Sequence, residues 1–441
     1  MPGHKRNPKF FPAQLYELDQ TEIPGLDNLA SPNGILAETQ EKLAKMFGAD
    51  YTHMLINGAT CGVMAAILTL ATDGDTVILA RNCHRSAYNG LVISGAVPAY
   101  VYPDICANGL IGGISAKSVA QALKKNPSAK AVVITSPTYE GFVSDISAIS
   151  GICRKYNVPL IVDEAHGSHF NFSRVFPASA LELGADVVIH SPHKTLPALT
   201  QTALLHVKGT TVCPDKLKNA VNLIQTTSPS YIFMGMMDFL CEEILSNNHY
   251  FDNYTKRLAH FRKILHNLNK MNLIGQEATA QNSIFDIDLS KLVFTTNGIC
   301  GNTLNQLLRE KYSLQIEDSS ENHITAITTV ADTDDGFLQL ASALQEIDKL
   351  PSGNFTATNA PCTPIRTKMA FPPKEALKHP AKSVPLKQSV GLVCATFITP
   401  YPPGVPLIIP GEVISNEIIS QIEKCPNVTG LSGGNVQILA V

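Results

Sequence analysis

The chain of 441 residues has no tryptophan, no Cys-x-x-Cys pair among its 10 cysteines and no Gly-Lys dipeptide. Each absence excludes a class of protein. Cysteines at 61, 83, 106, 153, 213, 241, 300, 362, 394 and 425 are too scattered for a zinc site or a small disulfide scaffold. They are expected to stay reduced and to pack as small hydrophobes. Without Gly-Lys there is no phosphate loop of the form GxxxxGK[ST], so Asp163-Glu164-Ala165-His166 is not read as the box of a nucleotide hydrolase. His166 and His169 lack the HExxH spacing of a zinc protease. No stretch reaches the roughly 18 consecutive apolar residues of a membrane span, and no apolar run follows the basic N-terminus. A soluble, cytoplasmic protein is expected. Lys+Arg 34 against Asp+Glu 37 leaves a net charge of −3, too balanced for a nucleic-acid or anionic-membrane partner. No fixed-period repeat or low-complexity tract is present, which sets aside solenoids, propellers and disordered scaffolds.

With 44% apolar residues, the chain has enough material for a large core and for two or three domains. From about residue 33 to 210, helical periodicity alternates with short β-rich runs, the pattern of a parallel α/β sheet. A helix is predicted from Gly34 to Phe47, opened by Ser31-Pro32-Asn33 and closed by Gly48. Buried strands are predicted at Thr76–Ala80, Ala131–Thr135, Leu160–Asp163, Asp186–His190 and Ala203–Val207. Residues 212 to 270 read as mainly helical. A mixed region follows, with a strand at Ser283–Leu289 and a helix at Asp335–Lys349. A stretch rich in Pro, Ser, Thr and Asn, from Pro351 to Pro364, precedes the last segment.

Chemistry gathers at predicted strand ends, where open α/β sheets bind their ligands. Lys194, in His190-Ser191-Pro192-His193-Lys194, follows one strand. A desolvated lysine there is nucleophilic and forms a Schiff base with an aldehyde cofactor, although a loop lysine taken alone is more often solvated. Asp163 closes another strand, where an ionised carboxylate suits a protonated pyridine nitrogen; by itself such an acid is as readily a turn or cap. Asn57-Gly58-Ala59-Thr60-Cys61-Gly62 opens an apolar helix whose amides and dipole would face an anion, or it is only a cap. His84, after Thr76–Ala80, could stack on a planar ring or simply be exposed.

Together these residues resemble the fold-type I pyridoxal-phosphate enzymes, and more closely the Orn/Lys/Arg decarboxylase family. The resemblance runs nearly end to end. It is carried by Pro2-Gly3-His4-Lys5, Leu26-Asp27-Asn28-Leu29, Phe47-Gly48-Ala49-Asp50, Asn57-Gly58-Ala59-Thr60, Arg81-Asn82-Cys83-His84, Ser136-Pro137-Thr138-Tyr139, Asp163-Glu164-Ala165-His166-Gly167, His193-Lys194 and Thr227-Ser228-Pro229-Ser230-Tyr231. Tyr401-Pro402-Pro403-Gly404-Val405-Pro406 and Pro410-Gly411-Glu412 are its most specific strings.

The resemblance implies a parallel-sheet large domain, a smaller α/β domain and a C-terminal domain. It divides the chain into an arm (1–25), a cofactor-binding domain (26–225), a small domain (226–350), a linker (351–364) and a C-terminal domain (365–441). It implies pyridoxal 5′-phosphate as cofactor and a homodimer with shared active sites. Lys194 would carry the cofactor, Asp163 pair with its ring nitrogen and His84 stack on the ring. Ala59, Thr60, Cys61 and Ser191 would hold the phosphate, His166 would line the cofactor and His193 would assist catalysis. Thr227 and Ser228 would reach the cofactor of the second subunit. The expected activity is decarboxylation of lysine, ornithine or arginine to its amine, a step of polyamine biosynthesis, with Glu412 lining the substrate entrance. A helix-capping role for Glu412 near Ser415 is the alternative. Two other readings remain: a fold-type I aminotransferase or lyase, and a catalytically silent regulatory homologue. The N-terminal wing of the long-form enzymes is not expected, and Pro192 stands where the family more commonly carries another residue.

Overall fold

The computed structural model describes residue 5 and residues 13–247, 249–279, 282–351, 365–425 and 427–440. The string Pro2-Gly3-His4 and residues 352–364 of the expected linker lie outside the described residues.

Seven strands form the main sheet: β1 (Tyr51–Leu55), β2 (Thr76–Ala80), β3 (Val97–Val101), β4 (Ala131–Thr135), β5 (Leu160–Asp163), β6 (Val187–His190) and β7 (Ala203–Val207), in the order β1-β7-β6-β5-β4-β2-β3. The interior strands are short, apolar and buried end to end, as parallel strands covered on both faces must be. The sheet is not wholly parallel: β7 runs antiparallel to both β6 and β1. The segment joining β6 to β7 holds only the one-turn helix Pro192–Thr195, where a parallel return needs a longer crossover. That return loop carries Lys194. Strands β1 and β3 escape the sequence pattern because exposed Tyr51 and half-buried Pro98 and Tyr100 interrupt their apolar character.

The predicted first helix is Ile35–Phe47, closed by Gly48 at φ 71° with its N–H bonded back to Lys45. The helix Gly58–Leu70 is apolar all round and lies directly on the sheet. A Cβ at Gly62 would come 2.8 Å from Leu55 and 3.2 Å from Ile189, so glycine permits this close seat. The seat puts the helix N-terminus at the strand ends.

A second, antiparallel sheet has the order Asp318–Ser319, His323–Ile327, Lys291–Thr296, Met271–Leu273. The predicted strand at Ser283–Leu289 shrinks to Asp286–Ile287, paired with Phe142–Val143. Asp288 ends it: its backbone N–H donates to the Gly141 carbonyl, and its buried carboxylate bonds His169 and Ser290. The predicted helix at 335–349 appears as Asp334–Asp348. Residues from Leu386 to Ile438 build a separate apolar cluster around Ile398, Ile408, Ile414 and Ile418. Cys61, Cys83, Cys153, Cys241 and Cys394 are buried and free, as expected.

Candidate active site

Three strand ends and one helix start converge on a cavity of about 350 Å³ lined by Ala59, Thr60, His84, Asp163, His166, Ser191, His193 and Lys194. The site residues expected from sequence thus meet in one place, apart from four discussed below.

Lys194 sits in the one-turn helix after β6, with Pro192 at its first position, where the missing N–H costs no helical bond. Burial pulls its ammonium below the ordinary lysine range. Its Nζ lies 3.1 Å from Nε2 of His166. The other ring nitrogen of His166, Nδ1, lies 2.7 Å from Nζ of Lys291. Burial, then the positive charge available on the two neighbouring lysines, holds His166 well below the usual histidine range. Lys291 opens a strand of the second sheet and is itself 1% exposed; burial brings it down to about 8.

Asp163 closes β5, with one carboxylate oxygen accepting the Ala165 N–H at 3.2 Å. The Nδ1 of His84 accepts the Ser86 N–H at 3.2 Å, which turns the ring edge at the start of helix Arg85–Ser94. Gly404 packs against that edge at φ 83°: a Cβ there would stand 2.9 Å from Cδ2 and Nε2 of His84. The Tyr401-to-Pro406 string thus has a local role as a close-fitting cover. Nδ1 of His193 lies 2.7 Å from the Thr202 carbonyl, which can only accept, so the proton sits on Nδ1 and Nε2 is the basic atom.

The fit to a phosphorylated pyridine aldehyde can be tested on these residues. Asn57 makes no side-chain cap to helix Gly58–Leu70, and the Gly58 N–H donates to the Gln201 carbonyl, so the amides of Ala59 and Thr60 are the ones that face an anion. Asn82 lines the cavity with a buried Oδ1 that has no hydrogen-bond partner. A buried amine, a buried carboxylate, open amides and an unsatisfied acceptor are the polar set such a cofactor requires.

A second cavity, of about 850 Å³, shares Ile111, Tyr139, Glu140, Tyr401, Pro403 and Val405 with the first. Its lining includes Glu317, Asp318 and Glu321. Burial raises Asp318 to about 6 and Glu140 to about 7. The Tyr139 hydroxyl donates to Glu317 at 2.5 Å. The chamber that adjoins the lysine site thus carries four acids, Glu140, Glu317, Asp318 and Glu321, together with the basic Arg81, Arg309 and Lys424.

A family model for the major domain of the Orn/Lys/Arg decarboxylases matches residues 2–289, and one for their C-terminal domain matches residues 358–425. The chain belongs to the Orn/Lys/Arg decarboxylase family. Enzymes of this family are pyridoxal-phosphate-dependent amino-acid decarboxylases, and this chain is one. It is 31% identical to an arginine decarboxylase of Bacillus subtilis over 96% of this chain and 89% of that one. It is 32% identical to an arginine decarboxylase of Halalkalibacterium halodurans over the same shares. The Francisella novicida lysine decarboxylase has the same fold, with a TM-score of 0.83 at 19% identity over 98% of this chain and 75% of that one.

Two expected positions in this decarboxylase, Glu412 and Cys61, lie elsewhere, and Thr227 and Ser228, expected at the second subunit's cofactor, lie outside this cavity. Glu412 does not line the entrance. It is fully buried, with Oε2 3.4 Å from the Arg81 guanidinium and 3.0 Å from the Ile409 N–H, and it accepts the Thr367 hydroxyl. Nor does it cap the nearby helix, since the Ser415 hydroxyl accepts the Ile418 N–H. The Cys61 side chain points into the core, where burial raises the thiol to about 11, leaving only its backbone for an anion. Thr227 and Ser228 are exposed and do not line the cavity of their own chain. Sequence reading missed Lys291, Glu317 and Asp318. Their only signal is charge set beside short apolar runs, as in Ser290-Lys291-Leu292-Val293-Phe294, and the partners that give it meaning come from distant segments.

Proposed function

We propose that this enzyme decarboxylates arginine. The observation that carries the reading is the chamber walled by Glu140, Glu317 and Asp318, contiguous with the cavity of Lys194. A guanidinium offers fixed N–H donors that match carboxylates, and an unpaired buried cation would cost several kcal/mol. The names of the relatives at 31 and 32% identity support the same substrate.

Pyridoxal phosphate, when bound, supplies an electron sink for the pair left on the α-carbon as carbon dioxide departs. The chain's own residues do the rest. Lys194 is the attachment amine, which its burial keeps ready to lose its proton. The Asp163 carboxylate would hold a proton on the ring nitrogen. Ala59, Thr60 and the Ser191 hydroxyl would receive the phosphate at the helix start, which no side chain caps. His84 offers a ring face, held in place by Ser86 and Gly404. His193, with Nδ1 fixed by Thr202, presents a bare Nε2, which must first take up a proton before it can pass that proton to the α-carbon. The enzyme works as a homodimer in which Thr227 and Ser228 face the site of the second copy; their exposure in the single chain fits that arrangement.

Release of carbon dioxide should be measured with arginine, lysine, ornithine and neutral amino acids. Arginine is expected to give the highest kcat/KM. Glu317→Gln is expected to raise the KM for arginine by about tenfold or more, the worth of one charge-assisted hydrogen bond. A best substrate other than arginine, or an unchanged KM, would overturn the reading.

A further inference from the structure

Two lysines hold the two nitrogens of one buried imidazole: Lys291 Nζ at 2.7 Å from Nδ1 of His166, and Lys194 Nζ at 3.1 Å from Nε2. This arrangement constrains where protons can be. A lysine ammonium only donates, and a neutral imidazole has one acceptor nitrogen and one N–H. Two ammoniums cannot both be satisfied. The imidazole itself is not the cation, because it is buried between two amines. At least one lysine is therefore an uncharged amine accepting the imidazole N–H.

We propose that Lys291 is the charged member and acts as a positioning residue for Lys194: its ammonium donates to Nδ1 of His166, fixes the Nε2–H tautomer and leaves Lys194 as the uncharged amine. The proposal rests on Lys194 being the residue that carries the cofactor, but its test does not.

The carboxylates around the two lysines favour this distribution, against burial, which lowers Lys291 the further of the two. Lys291 faces three carboxylates, Asp288, Glu317 and Glu140, and the first is fully buried. Lys194 faces two, Asp163 and Glu317. His169 and His193 also face His166 and oppose a charge on it. The stem of Lys291 is held against Gly141, where a Cβ would stand 2.7 Å from its Cγ. Its Nζ is thus delivered to His166 from the second sheet and is not a loose surface group. At neutral pH a lysine brought down to about 8 still carries most of its charge. An amine without its proton is the form that attacks an aldehyde carbon, so Lys291 would prime the attachment residue before the cofactor arrives.

The test uses apoprotein. Trace acetylation across a pH series, read on the Lys194 peptide by mass spectrometry, gives the midpoint at which that amine loses its proton. Lys291→Met should raise the midpoint by about one unit, the effect expected of removing a like charge and freeing the imidazole to accept. Lys291→Arg, which keeps the charge and a donor, should restore it. An unchanged midpoint in Lys291→Met with an unaltered circular dichroism spectrum would overturn the proposal. Independently of any Lys291 variant, nitrogen NMR of histidine-labelled wild-type apoprotein, with His166 assigned by its loss in His166→Gln, should show Nδ1 bare and Nε2 protonated. A proton on Nδ1 overturns the proposal. Failure of the carbon dioxide assay would leave both apoprotein readouts standing, so the two ideas fail separately.

Discussion

Arg81 and Glu412 show how far a residue's neighbourhood redirects its role. The arginine is 1% exposed and the glutamate 0%, and the arginine also donates to the carbonyls of Pro406 at 2.6 Å and Leu407 at 2.8 Å. The pair ties the end of β2 to the C-terminal segment. A buried pair loses most when one partner is removed, because the other charge is stranded. Glu412→Gln keeps a shape that can still accept from Thr367 and Ile409, yet it surrenders the charge opposite Arg81. It is expected to destabilise the fold by about 1–3 kcal/mol, read as a lower melting temperature, with the KM for arginine unchanged. A raised KM at wild-type stability would return Glu412 to the substrate path.

Elements explain which predictions from pattern held. Segments with one repeated apolar period, such as Ile35–Phe47 or β4 and β5, appear where the pattern places them. Segments whose backbone is held by distant side chains do not, and Asp286–Ile287 beside the buried Asp288 is the clearest case. The short strand Asp318–Ser319 is another: its value lies in carrying an acid into the second cavity. Burial raises Asp318 to about 6, so it is neutral below that pH and an anion above it. The sign for binding follows directly. A cationic substrate should bind more tightly as pH rises through about 6, and KM for arginine should fall across that window. In Asp318→Asn that part of the pH dependence should flatten, which initial-rate measurements from pH 5 to 7 would read.

At the scale of the whole molecule, the site belongs to no single unit. Its floor is the carboxyl ends of the main sheet, Lys291 and the acids come from the second sheet, and Gly404 covers His84 from the C-terminal segment. A ligand held by all three should stabilise them together against unfolding, by about 2.7 kcal/mol at a hundred times its Kd. The melting temperature is therefore expected to rise with added pyridoxal phosphate as one cooperative transition. In Lys194→Ala, borohydride should no longer fix the cofactor to that peptide, and the rise should shrink at equal concentration. A wild-type melting temperature indifferent to pyridoxal phosphate would contradict this coupling.

The sequence by itself determined the local periods, the helix end marked by Gly48, and the strand-end positions of Lys194, Asp163 and His84, because each depends on neighbours a few residues away. Its motifs also pointed to the family. Only the tertiary structure decided that Glu412 is bound to Arg81, that Lys291 stands against His166 and that Glu317 and Asp318 wall the neighbouring chamber. Those pairings join residues up to 331 positions apart. No local preference selects them; they follow from how the sheets and the C-terminal segment pack, and burial then sets which charges survive.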